Sequence, residues 1–329
     1  MTDIPTLANK HAHWSSLQEA GTLFGMRLLL LFYRYFGRRA FSVILGPIVL
    51  YFIVLRPHSR ESSRNYLLTH SKYFPNAWNQ PITLKYIYKH FKCFAETILD
   101  KVLAWNNNIS KEELEIPNSL SAKTLINSDK GQLLIGAHFG NLEFCRSFIQ
   151  SEHNKTINIL VYDRHSTNFI SMMQQINPDS RLNIFQVDEF DISTVLKLRE
   201  KVDQGEWVFI AADRIPVTGL NHTAKVSFLG RDALFPIGPY YLAHALGCPV
   251  SLIFAYRYTD DNTSKIMLDI VPFSDKISLT RESRNSDLAK YAKKFSIELE
   301  RQCQRAPLQW FNFYDFWATQ NTKPNNPSS

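Results

Sequence analysis

Residues 132–150 read Gln132-Leu-Leu-Ile-Gly-Ala137, then His138-Phe-Gly-Asn-Leu-Glu143, then Phe144-Cys-Arg-Ser-Phe-Ile-Gln150. The first run is short and wholly apolar apart from its leading Gln, the pattern of a buried strand. The segment from Asn141 onward has the spacing of an amphipathic helix, and Gly140-Asn141 supplies the break between them. His138 therefore stands where a strand ends and a helix begins, which in α/β sheets is where ligands and chemistry collect. An imidazole held by a carboxylate can take a proton from a hydroxyl near neutral pH, the carboxylate fixing its tautomer and steadying the imidazolium. Glu143, five residues on, is the nearest such carboxylate in sequence. The spacing alone carries little weight, because ten histidines and 30 acidic residues supply it by chance.

Strand and helix signals alternate beyond this point. Residues 156–162, 182–187, 207–212, 250–256 and 266–271 read as strands. Residues 168–176, 192–203, 239–246 and 287–304 read as helices. That alternation predicts an α/β fold, a mostly parallel mixed sheet flanked by helices.

Upstream, residues 57–125 read as soluble helices. Further upstream the chain is lipid-like. Residues 23–36 are apolar except for Arg27 and Arg34, and residues 40–55 carry no charge. Sixteen residues of helix span about 24 Å, short of the roughly 30 Å hydrocarbon core. Basic residues flank the run, Arg34, Arg38 and Arg39 before it and Arg56, Arg60 and Arg64 after. Shallow, monotopic insertion at an anionic leaflet is the expectation, with a full span or a buried helical hairpin as alternatives. Residues 1–20 are polar and hold Asp3 and Glu19, unlike a secretory signal. The expected organisation is a helical, hydrophobic N-terminal membrane-anchoring region at 1–118, an α/β domain at 119–318 and a disordered tail at 319–329.

Composition narrows the class. The chain has 329 residues, a formal net charge of +7, and 23 Phe, 14 Tyr and 6 Trp. A basic balance suits an acidic partner, but the charge is spread out and no nucleic-acid motif appears, so no nucleic-acid partner is expected. The four cysteines lie far apart, and no His-Glu-x-x-His or similar spacing occurs, so neither a disulfide framework nor a metal site is expected.

Two further stretches bear on chemistry. Asp213-Arg214 follows directly on the apolar run 207–212, at a second strand end. If the strands are parallel, it shares an edge with His138. Arg214 offers a planar donor fork for phosphate or carboxylate, while Asp213 can hold it or accept from a substrate hydroxyl. Arg164 and Arg181 stand at other element ends as further anion-binding candidates. Lys225-Val-Ser-Phe-Leu-Gly-Arg-Asp-Ala-Leu-Phe-Pro-Ile-Gly-Pro239 reads as a tight loop whose amides precede a helix N-terminus, a natural seat for an oxyanion.

In this order and spacing, His138-x4-Glu143, the strand ending at Asp213, Phe228-Leu-Gly-Arg231 leading to Phe235-Pro-Ile-Gly-Pro239, and Pro307-Leu-Gln-Trp310 resemble the bacterial lipid A biosynthesis acyltransferases. These are the lauroyl and myristoyl transferase branch of the lysophospholipid acyltransferase superfamily. The resemblance implies transfer of a fatty acyl group from an acyl-carrier-protein thioester to a lipid hydroxyl at the cytoplasmic face of the inner membrane. It implies His138 as base, Glu143 as its partner carboxylate, Asp213 as active-site support, and an arginine for which Arg181 is the nearest match. Acyl carrier protein, the lipid acceptor and the membrane are then the partners, with no cofactor beyond the acyl donor. Two departures, Asp163-Arg164 and the ending Phe311-Asn-Phe-Tyr-Asp-Phe-Trp317, leave open another acceptor such as a polyene lipid or other glycolipid. A non-catalytic membrane assembly protein on the same fold is the competing class.

Overall fold

The computed structural model describes residues 31–33, 35–38, 40–105, 111–117, 124–125, 127–153, 155–161, 182–186, 191–215, 222–260 and 263–317. The expected helix at 168–176, the candidates Arg164 and Arg181, and the expected tail at 319–329 lie outside those residues. The chain divides into two compact units, Met1–Tyr51 and Phe52–Ser329.

In the N-terminal stretch, helix α1 (Ala40–Leu55) exposes Val43, Ile44, Ile48, Leu50, Tyr51, Val54 and Leu55. Among the described residues no single helix is long and apolar enough to cross a membrane. α1 passes that test together with the next helix, as a bent pair.

The larger unit begins with two helices, α2 (Pro57–Tyr73) and α3 (Leu84–Trp105), and continues into the sheet. Its strands are β1 (Leu114–Glu115), β2 (Gln132–Gly136), β3 (Ile157–Val161), β4 (Leu182–Gln186) and β5 (Trp207–Ala211). A hairpin of β6 (Thr223–Phe228) and β7 (Arg231–Pro236) stands apart. The long pair β8 (Val250–Asp260) and β9 (Thr263–Ser274) completes the set. The order is β1-β9-β8-β2-β5-β3-β4. β8, β2, β5, β3 and β4 run parallel; β9 is antiparallel to β8, and β1 runs with β9.

The expected mostly parallel mixed sheet is therefore present. β2 is its central strand and is buried along its whole length, as an apolar run without alternation requires. Helices α4 (Leu142–His153), α5 (Ile192–Asp203), α6 (Gly238–Leu246) and α7 (Arg284–Arg305) fall where the apolar periodicity places them.

Two local expectations are corrected. The stretch 225–236 is a strand pair rather than a loop. Leu229 and Gly230, both at positive φ (51° and 73°), make the two-residue turn that suits a twisted hairpin. Leucine is a poor residue for that conformation. Here its N–H donates to the buried Glu300 carboxylate at 2.6 Å, and its side chain is buried, which together hold it. Within the stretch 57–125, read as helical, Leu114–Glu115 is an edge strand paired to β9.

α2 and α3 dock onto the end of the chain through two buried histidines. His70 Nε2 donates to the Cys303 carbonyl (2.9 Å), and its Nδ1 accepts from Trp78 Nε1 (2.9 Å). His90 Nε2 donates to the Trp310 carbonyl (3.0 Å), and its Nδ1 pairs with Ser63 Oγ (2.9 Å). The Trp78 indole can only donate, so His70 needs one donor and one acceptor nitrogen, the neutral form; the Ser63 hydroxyl can serve either way, and at His90 it is burial that favours the neutral ring. Burial pushes both down to about 4.

The sign follows from linkage. Below about pH 6.5 the unfolded chain takes up protons that the folded chain refuses until about pH 4, so the stability present above pH 6.5 is lost as pH falls through that window. The slope is about 1.4 kcal/mol per pH unit for each histidine. Urea unfolding at pH 7, 6 and 5 is expected to show a falling midpoint. A flat profile would refute the neutral pairing.

Candidate functional site

β2 and β5 are adjacent, parallel and in register at their ends, Gly136 opposite Ala211. His138 and Asp213 each lie just past those ends, so pairing of the two strands brings them together. The Ala212 N–H donates to the Gly136 carbonyl at 2.9 Å and carries the register to the brink of the site.

Asp213 holds His138 at two points. Oδ1 accepts from the imidazole Nδ1 at 2.8 Å, and Oδ2 accepts from the His138 backbone N–H at 2.9 Å. The Trp310 indole Nε1–H donates to Oδ2 as well, at 3.0 Å. Asp213 is fully buried, whereas the His138 side chain is 38 % exposed. Burial alone would push the Asp213 carboxyl up. The facing His138 and its hydrogen bonds, with Arg214, outweigh that and bring it below the usual carboxylate range. An ionised carboxylate on Nδ1 requires the proton there, so Nε2 carries the lone pair. That is the tautomer of a general base.

Glu143 sits elsewhere. It lies in the first turn of α4, and its carboxylate reaches along the helix to Arg146 Nε at 2.6 Å. Among the described residues no hydrogen bond joins it to His138. The expected partner carboxylate is thus replaced in the geometry by Asp213, because His138 turns toward the neighbouring strand rather than its own helix.

Arg146 is buried, with its guanidinium 4.2 Å from the centre of the Trp105 ring. Lys101, on α3, belongs to the same charged group. Burial lowers it, Glu143 raises it and Arg214 lowers it again. Arg214 is exposed, and its Nη2 donates to the Phe311 carbonyl at 3.0 Å.

Gly140 makes the turn between strand and helix. Its φ is +61°, and a Cβ there would lie 1.9 Å from the Ala255 carbonyl oxygen. The amides of the turn are already occupied: Gly140 N–H donates to Gln309 O (2.7 Å) and Asn141 N–H to Ala255 O (2.6 Å). Asn141 Oδ1 caps the Glu143 N–H (3.1 Å). These three amides are therefore unavailable to an oxyanion.

Cys145 is buried against the sheet, and burial followed by Glu143 raises its thiol well above the usual value, so it is no nucleophile. Among the described residues no group of three or more His, Cys, Asp or Glu is placed to hold a metal ion.

Sequence reading singled out His138, Glu143, Asp213 and Arg214; the structure brings His138 and Asp213 together past the ends of β2 and β5, with Arg214 next along the chain, and leaves Glu143 on α4 paired to Arg146. It missed Lys101 and Arg146, whose signal was no more than a position on an amphipathic helix. Trp310 was visible as part of Pro307-Leu-Gln-Trp310 without a role. A model of the bacterial lipid A biosynthesis acyltransferase family matches residues 12–319. Comparison with curated proteins finds no match.

Proposed function

Because the chain belongs to the bacterial lipid A biosynthesis acyltransferase family, we propose that it moves a fatty acyl group from an acyl-carrier-protein thioester to a hydroxyl of a lipid acceptor, with His138 as general base. The observation that carries this reading is an imidazole whose Nδ1 is held by a buried carboxylate while the ring stays exposed at a strand end.

In the reaction, His138 Nε2 takes the proton of the acceptor hydroxyl as its oxygen attacks the thioester carbonyl. The tetrahedral oxyanion then collapses, the C–S bond breaks, and the departing carrier thiol takes the proton back from the imidazolium. An ester and a free thiol result, and His138 is regenerated. Asp213 steadies the imidazolium. Arg214, whose guanidinium is exposed beside the pair, is the donor assigned to the oxyanion or to an anionic group of the acceptor. Glu143 supports the site by fixing Arg146 and compensating Lys101 rather than by touching Nδ1. Arg164 and Arg181 keep an anion-binding role in this reading. The chemistry as drawn uses no metal and no cofactor beyond the acyl donor.

The exposed apolar face of α1 and the arginines that follow support attachment at the cytoplasmic face of the inner membrane, where a lipid acceptor resides. The acceptor is lipid A-type or another hydroxylated glycolipid or polyene lipid. The ending 311–317 favours keeping the wider class, because Phe311, Phe316 and Trp317 are buried and so do not form a basic surface for a phosphorylated sugar.

The test is transfer of labelled acyl groups from acyl carrier protein to a panel of these lipids by the purified protein in detergent. Transfer to at least one is expected. A folded protein inert toward all of them would favour the non-catalytic assembly reading.

A further inference from the structure

The segment 307–312 lies outside the stretches to which sequence reading gave chemistry, yet it is fastened to both sides of the candidate dyad. Gly140 N–H donates to Gln309 O (2.7 Å), Phe311 N–H donates to His138 O (2.8 Å), and Arg214 Nη2 donates to Phe311 O (3.0 Å). Between these ties, the Trp310 indole Nε1–H reaches Asp213 Oδ2 at 3.0 Å, the oxygen that also accepts the His138 backbone N–H. Trp310 is fully buried. Its ring stands edge-on to Tyr66 (5.0 Å), Phe228 (5.1 Å) and Phe316 (4.9 Å), and its carbonyl is held by His90.

We infer that Trp310 is a positioning residue for the His138–Asp213 pair, its indole N–H fixing the plane of the carboxylate that fixes the imidazole. This rests on the reading of His138 as the base. A carboxylate held at one oxygen can swing about its Cβ–Cγ bond. His138 itself reaches both oxygens, so without the indole, carboxylate and imidazole can shift together; the Trp310 N–H ties Oδ2 to a separate, buried segment, and Nε2 is aimed one way. The indole also draws charge from the carboxylate. Removing it leaves more negative charge facing the imidazole, which strengthens its hold on a proton. The other groups facing Asp213 are His138, Arg214 on its own strand end, Tyr314 from the C-terminal segment and Cys303 on α7. Among the described residues, Trp310 is the one that bonds the carboxylate from outside the His138 segment.

Trp310→Phe keeps most of the ring and removes the N–H. Two readouts are taken side by side in the full-length protein: acyl-transfer kinetics across pH, and the substrate-free pH dependence of His138 carbethoxylation by diethyl pyrocarbonate, read on its peptide by mass spectrometry. The expected result is a kcat lower by about tenfold or more with KM within about twofold. The acid limb of kcat/KM and the carbethoxylation midpoint are expected to move together to higher pH. Loss of packing alone would lower the folded fraction and leave both midpoints in place.

Wild-type kcat with unmoved midpoints overturns the inference. If wild-type protein transfers no acyl group, the functional reading fails, and the carbethoxylation midpoint still decides Trp310: a shift sustains its role, no shift ends it. If Trp310→Phe does not fold, the indole resonance of Trp310 in ¹⁵N-tryptophan-labelled wild-type protein is followed across pH. It must titrate with the same midpoint as His138 carbethoxylation, and an indole signal that ignores that titration overturns the inference.

Discussion

Asp213→Asn is expected to lower acyl transfer by about 10³-fold or more while the protein still folds. The argument is one of proton placement. In Asp213 both oxygens accept: Oδ1 from His138 Nδ1, and Oδ2 from the His138 backbone N–H and the Trp310 indole. Asparagine can keep its oxygen toward the last two donors, because those hydrogens cannot move. Its amide nitrogen then faces Nδ1 and presents a hydrogen to it. The imidazole must answer by carrying its proton on Nε2, and the lone pair that would take the acceptor's proton is gone. The shape of the site is retained, so the loss is expected in kcat with little change in KM. Circular dichroism and thermal unfolding confirm folding, and kinetics with acyl carrier protein thioester measure the loss. Near wild-type kcat for Asp213→Asn would mean that another group holds the base. Glu143→Gln is the natural comparison. It breaks an ion pair with Arg146 rather than the tautomer lock, and the smaller effect is expected there.

Gly140→Ala is expected to destabilise the protein by about 4 kcal/mol or more, enough to abolish folding in a marginally stable chain. Two faults coincide at this position. The backbone sits at φ +61°, and the new Cβ would lie 1.9 Å from the Ala255 carbonyl oxygen and 2.8 Å from Tyr256 Cβ. The obstacle is backbone of a buried strand, so it cannot swing aside as a flexible side chain would. Backing away breaks the Gly140–Gln309 and Asn141–Ala255 hydrogen bonds and moves His138 off Asp213. Urea unfolding and folded yield measure the outcome. A Gly140→Ala protein as stable as wild type would show that the strand-to-helix turn is not seated on β8 as described.

The contrast between these residues shows what the sequence made legible. The buried run into His138, the helix after it and the alternation beyond depend on local periodicity, and those of these elements that fall among the described residues stand where the pattern put them. Asp213 at a second strand end was visible for the same reason. That Asp213 rather than Glu143 holds the imidazole was not, because it depends on β5 lying beside β2, across some 75 residues of chain. Nearness in sequence favoured Glu143; sheet order favours Asp213. The hairpin at 223–236 was obscured by its turn, where Leu229 takes a conformation usually left to Asn or Gly and is held by Glu300 from the distant helix α7. Trp310 belongs to the same kind. Its packing value can be read from composition, but its hydrogen bond to Asp213 exists only once the end of the chain has folded back over the sheet edge.

The most direct test is mass spectrometry of total lipids from cells expressing either the wild-type chain or His138→Ala at equal protein level. The account predicts one acylated lipid class present with the wild type and lost with His138→Ala, its under-acylated precursor accumulating in its place. An unchanged acylation pattern in every lipid class, with the variant folded and abundant, would contradict the assignment of His138 as the base of an acyl transfer.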